Sequence, residues 1–154
     1  MKKTALLLAT LVSTTALAAE KEVVDLTITG GPNAGKHHAT TERGGCSFGL
    51  LGTGWFGSQL SDPANQDPKV FNSLHVIVPD PKKPDVFQLN VGFGSILNRG
   101  TAYEIKTHGD KKSGSGTVNV EDRGSTAMVK FSATTKDGVK LEGTIDCKSV
   151  LRPD

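Results

Sequence analysis

Leu141, Ile145 and Cys147 stand at alternate positions, with Lys140, Glu142, Thr144, Asp146 and Lys148 between and after them. Alternation of this kind marks a strand with one face on a core and the other in water; a helix repeats its apolar positions every three to four residues instead. The pattern predicts a last strand over Val139–Val150 with Cys147 on its core face. The only other cysteine, Cys46, lies far back in the chain. A bond between the two draws the final strand onto the first third of the protein, and that restricts the folds open to it.

The amino terminus decides how the cysteines are read. Met1-Lys2-Lys3-Thr4, the apolar run from Ala5 to Val12 and the small residues Ala16-Leu17-Ala18-Ala19 have the basic, apolar and cleavage regions of a secretory signal peptide. The run is too short to span a bilayer, no cysteine stands at the cleavage site to carry a lipid, and no later segment is apolar enough to cross a membrane. We therefore expect residues 1–19 to be a leader and residues 20–154 a single domain, delivered to the periplasm or the exterior. In an oxidising compartment two cysteines are most simply one disulfide. Cys46–Cys147 would close a loop of roughly 100 residues, worth about 4–5 kcal/mol in the chain-entropy account.

Charge removes one class of partner. The chain carries 18 basic and 16 acidic residues, and the leader takes Lys2 and Lys3 and no acid, which leaves 16 of each. A balanced domain has no net field for nucleic acid or an anionic membrane surface, so neither is expected.

The rest of the text reads as strand and turn. Val24, Leu26 and Ile28 alternate with Asp25, Thr27 and Thr29. Strands follow over Lys36–Thr41, Cys46–Leu50, Leu74–Val78, Phe87–Phe93 and around Tyr103 and Ile105. Others cover Val118–Val120 and Ala127–Ala133. Turn signals separate them at Gly30-Gly31-Pro32-Asn33, His108-Gly109-Asp110, Asp122-Arg123-Gly124 and Asp137-Gly138. About nine short strands without a convincing helix predict an all-β fold, a single antiparallel β-sandwich or small barrel.

Several stretches imitate chemistry. Gly30 to Lys36 matches the glycine and lysine spacing of a phosphate-binding loop. His37 stands where a Ser or Thr would hold magnesium, however, and no helix follows to bind phosphate, so a hairpin turn is expected. Four histidines (His37, His38, His75 and His108) raise the possibility of copper or zinc. Adjacent His37 and His38 must point to opposite sides of a strand, and the other two stand alone, so no metal ligand set is assigned. Glu142 and Asp146 share a face with Lys140 and Lys148, the composition of a solvated strand and not of a paired-carboxylate active site. Ser113-Gly114-Ser115-Gly116 lacks the outer glycines of a nucleophile elbow. No catalytic residue and no cofactor is expected.

What remains is the stretch from Gly52 to Lys69, which reads as a long irregular loop with room for one helical turn near Ser58–Ser61. Trp55 and Phe56 lie near its start, between Gly54 and Gly57, which would let the pair swing. Such a pair either caps the open end of a sandwich or offers a partner large, rigid contact area. The leading expectation is an exported, non-enzymatic binding module for a protein or cell-envelope component, with Trp55 and Phe56 as its contact. The alternatives are a histidine-based copper or zinc domain and a structural subunit of an envelope assembly.

Overall fold

A computed structural model describes residues 21–41, 44–61, 67–95 and 98–153. The leader lies outside them. In chain order the strands are β1 (Glu22–Thr29), β2 (Gly35–Thr41), β3 (Gly44–Phe48), β4 (Phe56–Ser61), β5 (Phe71–Val78), β6 (Gln88–Gly94), β7 (Arg99–Lys106), β8 (Gly114–Asp122), β9 (Ala127–Thr135), β10 (Lys140–Cys147) and β11 (Val150–Leu151). They form two sheets, one ordered β2-β1-β10-β9-β8 and the other β11-β3-β4-β5-β6-β7. Neither sheet closes on itself, so the architecture is a sandwich and not a barrel. Neighbouring strands run antiparallel except for β11, which lies parallel to β3.

The inward positions of the two sheets interleave into one core. Phe56, Phe87, Leu89 and Ile105 from the six-stranded sheet meet Leu26, Leu141 and Ile145 from the five-stranded one, all of them out of contact with water. Fully burying a side chain of this size contributes about 1.5–3 kcal/mol each, so this layer is the main reason the sheets stay together. In β10 the alternation lapses at Gly143, and the ring of Phe131 on β9 explains the gap. A Cβ built on Gly143 would sit 2.6 Å from that ring. The glycine is the seat for the phenylalanine opposite it.

Turns form where the turn residues predict them, with one difference. Gly30, Gly31 and Asn33 take φ of +79°, +70° and +56° in the β1–β2 hairpin. The phosphate-loop look-alike is therefore a tight turn that runs straight into a strand. Asp122-Arg123-Gly124 joins β8 to β9, and Asp137-Gly138 joins β9 to β10. His108-Gly109-Asp110 instead belongs to a crossover, since β7 and β8 lie in different sheets.

Three expectations are corrected. The stretch from Gly52 to Lys69 is not one irregular loop, because Phe56–Ser61 is strand β4, placed between β3 and β5. Ser58–Ser61 is accordingly extended and not a helical turn. The alternation is hidden there because an inward slot holds the polar Ser58 and an outward slot holds Gly57. The last strand stops at Cys147, and Val150–Leu151 forms a separate short strand, β11, in the other sheet. With β4 and β11 the described residues contain eleven strands where the pattern suggested about nine.

Candidate functional site

The two cysteines occupy inward positions of strands in different sheets, Cys46 on β3 and Cys147 on β10. They form a disulfide with Cα atoms 5.8 Å apart and a sequence separation of 101. The bond joins the two sheets directly. Beside it runs a second link between the sheets. Glu22 is the register partner of Cys147, Ser58 is that of Cys46, and the Ser58 hydroxyl donates to Glu22 Oε1 at 2.5 Å. Glu22 is 0 % exposed, and its Oε2 has no hydrogen-bond partner among the described residues. Burial pushes its carboxyl up to about 6, with the Ser58 hydrogen bond pulling the other way. The disulfide and the Ser58–Glu22 hydrogen bond thus form two buried links side by side between the sheets.

The Trp55–Phe56 pair is divided by the strand it begins. Phe56 points inward and is 0 % exposed, so it belongs to the core and is corrected as a contact residue. Trp55, one position earlier, faces out and is 36 % exposed, with Leu50 at 53 % and Leu51 at 50 % beside it in the β3–β4 connection. Adjacent residues on a strand must face opposite sides, so no partner can meet both rings at once. Of the two flanking glycines, Gly54 takes a φ of +81° with open space around it, whereas Gly57 and the nearby Gly52 are seats. A Cβ on Gly52 would meet the indole at 3.2 Å, and one on Gly57 would meet Leu51 Cδ1 at 2.8 Å. Backbone hydrogen bonds from Gly49 N to Trp55 O (2.7 Å) and from Trp55 N to Gly52 O (2.9 Å) close the turn. The result is a fixed apolar tip.

Trp55 shares its side of β4 with Gly57, Gln59 and Ser61, and that side is the outer face of the six-stranded sheet. Two rows cross this face in register. One consists of Gln59, His75, Asn90 and Glu104, and the other of Ser61, Ser73, Gly92 and Ala102. Short side chains beside longer polar ones leave a trough of about 390 Å³. A Cβ on Gly92 would fall 2.3 Å from Ser73 Oγ as that hydroxyl is placed, so the glycine leaves the floor open beside Ser73. Register shifts between Phe71 and Ser73 and between Gly92 and Gly94 mark irregularities in the ladder beside it. Sequence reading missed this feature because polar residues at alternate positions look like any solvated strand. The available signal was weak: the rows carry amides, hydroxyls, a glycine and no lysine, whereas the other sheet's outer face also carries lysines.

The histidines do not converge. His37 packs edge-on to Phe93 at 5.0 Å and donates through Nε2 to Asn33 O at 2.8 Å, while His38 faces water and pairs with Asp25 at 2.8 Å. They point to opposite sides, as the strand geometry requires. His75 lies in the trough, where burial lowers its pKa below the ordinary 6.5. Among the described residues no three side chains of His, Cys, Asp or Glu come together to hold a metal.

The fold and these features define a two-sheet all-β sandwich closed by one inter-sheet disulfide. No protein-family model matches the chain, and no significant match was found among curated proteins or solved structures. No helix among the described residues is long and apolar enough to cross a membrane.

Proposed function

We propose that this protein is an exported, non-enzymatic binding module that holds a protein or cell-envelope component through the apolar tip of its β3–β4 connection. The reading is carried by one observation: Trp55, Leu50 and Leu51 are exposed together on a turn held by backbone hydrogen bonds. Large apolar side chains grouped in this way are disfavoured on a surface that meets only water, whereas a partner that covers them gains their burial. Because the turn is already closed, little ordering of the backbone opposes binding. The leader-like first 19 residues and the disulfide suit an exported protein.

The test is affinity capture from envelope fractions with the purified protein and with a Trp55→Ala/Leu51→Ser variant. The expected result is a set of partners retained by the parent and lost by the variant, with the melting midpoints of both proteins alike. Recovery of the same partners by both proteins would remove the tip from the function.

A further inference from the structure

A second surface stands apart from the tip. Along β4 the Trp55 and Gln59 positions are four residues apart, roughly 13 Å at the rise of a strand. The row Gln59–His75–Asn90–Glu104 crosses four strands, roughly 14 Å at the ordinary inter-strand spacing, and lines the 390 Å³ trough. None of these four side chains has a hydrogen-bond or ion-pair partner among the described residues. On the other sheet's outer face several polar groups are paired, Asp25 with His38, Lys140 with Glu142 and Lys148 with Asp146, while Lys36, Asn119 and Lys130 have no side-chain hydrogen-bond or ion-pair partner among the described residues. Both outer faces are built by the same alternation, and on the six-stranded sheet an unbroken row of four open side chains lies over a concavity.

We infer that this trough is a binding site for a short, uncharged, hydroxyl-rich ligand, an oligosaccharide of neutral sugars. The chemistry of the lining selects it. Among the described residues no lysine or arginine lines the trough, so a phosphate or a carboxylate finds no counter-charge there. The outward positions of the two rows carry no aliphatic side chain larger than alanine, so a lipid or an apolar peptide gains little by entering. Gln59 and Asn90 each present a carbonyl acceptor and an amide donor. The lowered pKa of His75 keeps its ring neutral at pH 7, with one donor and one acceptor. Glu104 closes the row with a carboxyl group. Sugar hydroxyls, which donate and accept together, fit such a mixed row. The volume also lies within the range of roughly 300–1,000 Å³ usual for small-molecule sites.

The experiment is a titration of the isotope-labelled protein with three neutral trisaccharides (maltotriose, cellotriose and N,N′,N″-triacetylchitotriose), with spermidine as a cationic comparison, followed by backbone amide shifts. At least one sugar is expected to give saturable shifts centred on Gln59, His75, Asn90 and Gly92, and spermidine none. Asn90→Ala and Gln59→Ala should each weaken that sugar by about fivefold or more, the loss of one net hydrogen bond. Ala102→Trp, at an exposed position on the trough floor, should abolish binding while leaving amide dispersion intact. The inference is overturned if no sugar shifts the trough amides, if spermidine alone does so, or if both alanine variants bind like the parent. Trp55→Ala should leave the sugar titration unchanged, so the failure of one site is read separately from the failure of the other.

Discussion

On the outer face of the five-stranded sheet, several polar side chains meet one another. Glu142 accepts from Ser132 at 3.2 Å and lies 2.9 Å from Lys140, whose hydrogen bond holds it below the usual carboxylate range. Asp25 meets His38 across the β1–β2 pair, and at the sheet's far end Arg152 reaches Asp122 and Arg123 reaches Glu121. On the outer face of the six-stranded sheet, Gln59, His75, Asn90 and Glu104 stand in register with no such answer, beside an exposed Trp55. A face whose groups satisfy one another has little left to offer a ligand. A face whose groups are satisfied only by water can exchange that water for a partner at small enthalpic loss. The contrast is the basis for placing the proposed sugar site on the six-stranded sheet.

The comparison presumes that the two sheets are held rigidly against each other, and the largest predicted effect tests that. Cys147→Ser removes the inter-sheet bond and should cost about 2–5 kcal/mol, read as a lower denaturation midpoint under non-reducing conditions. A loss well below 1 kcal/mol would mean that the core alone fixes the sheets. Next comes the division of Trp55 from Phe56. Phe56→Ala should lose about 3–5 kcal/mol in a urea melt, because it empties a filled core position. Trp55→Ala should lose less than about 1 kcal/mol. Equal losses would return the tryptophan to the core and end its candidacy as a contact.

Glu22 gives the third prediction, and here pH is the probe. Its carboxyl titrates at about 6 in the folded protein against 4.5 unperturbed, so folding favours the protonated form. Below about pH 4.5 the group is protonated in both states and carries no penalty. As pH rises through 6 the folded state must bury a charge, and stability falls by about 2 kcal/mol. Glu22→Gln should therefore be the more stable protein at pH 7 and should lose this dependence between pH 4.5 and 7, measured by thermal melts across that range. A parallel pH profile for variant and parent would show that the carboxyl is not desolvated as its burial implies. The smallest effect sharpens the outer-face contrast itself. Asp25→Ala, which breaks an exposed hydrogen bond to His38, should cost a fraction of a kcal/mol. Asn90→Ala has no intramolecular bond to break and should leave the midpoint unchanged at any salt.

Much of this architecture follows from alternation and turn chemistry alone. An inward Cys46 and an inward Cys147 in an all-β chain are visible in the text, as are the hairpins at Gly30–Asn33, Asp122–Gly124 and Asp137-Gly138, because these are local properties of strands and turns. The tertiary structure was needed wherever a residue's meaning depends on one far away in sequence. Ser58 breaks the apolar pattern of β4 and Glu22 opens β1 with a charge, and each looks like a fault until the sheets pack. The two then prove to be each other's partner across the core. Gly143 looks like a weak point in β10 until Phe131 fills the space above it. The trough is the same kind of fact. Alternation states that Gln59, His75, Asn90 and Glu104 face outward, but only strand order and register set them side by side in one row with no partner. The physical reason is that a strand's pleat is dictated by its own residues, whereas register and sheet order are decided by the summed fit of every strand against its neighbours.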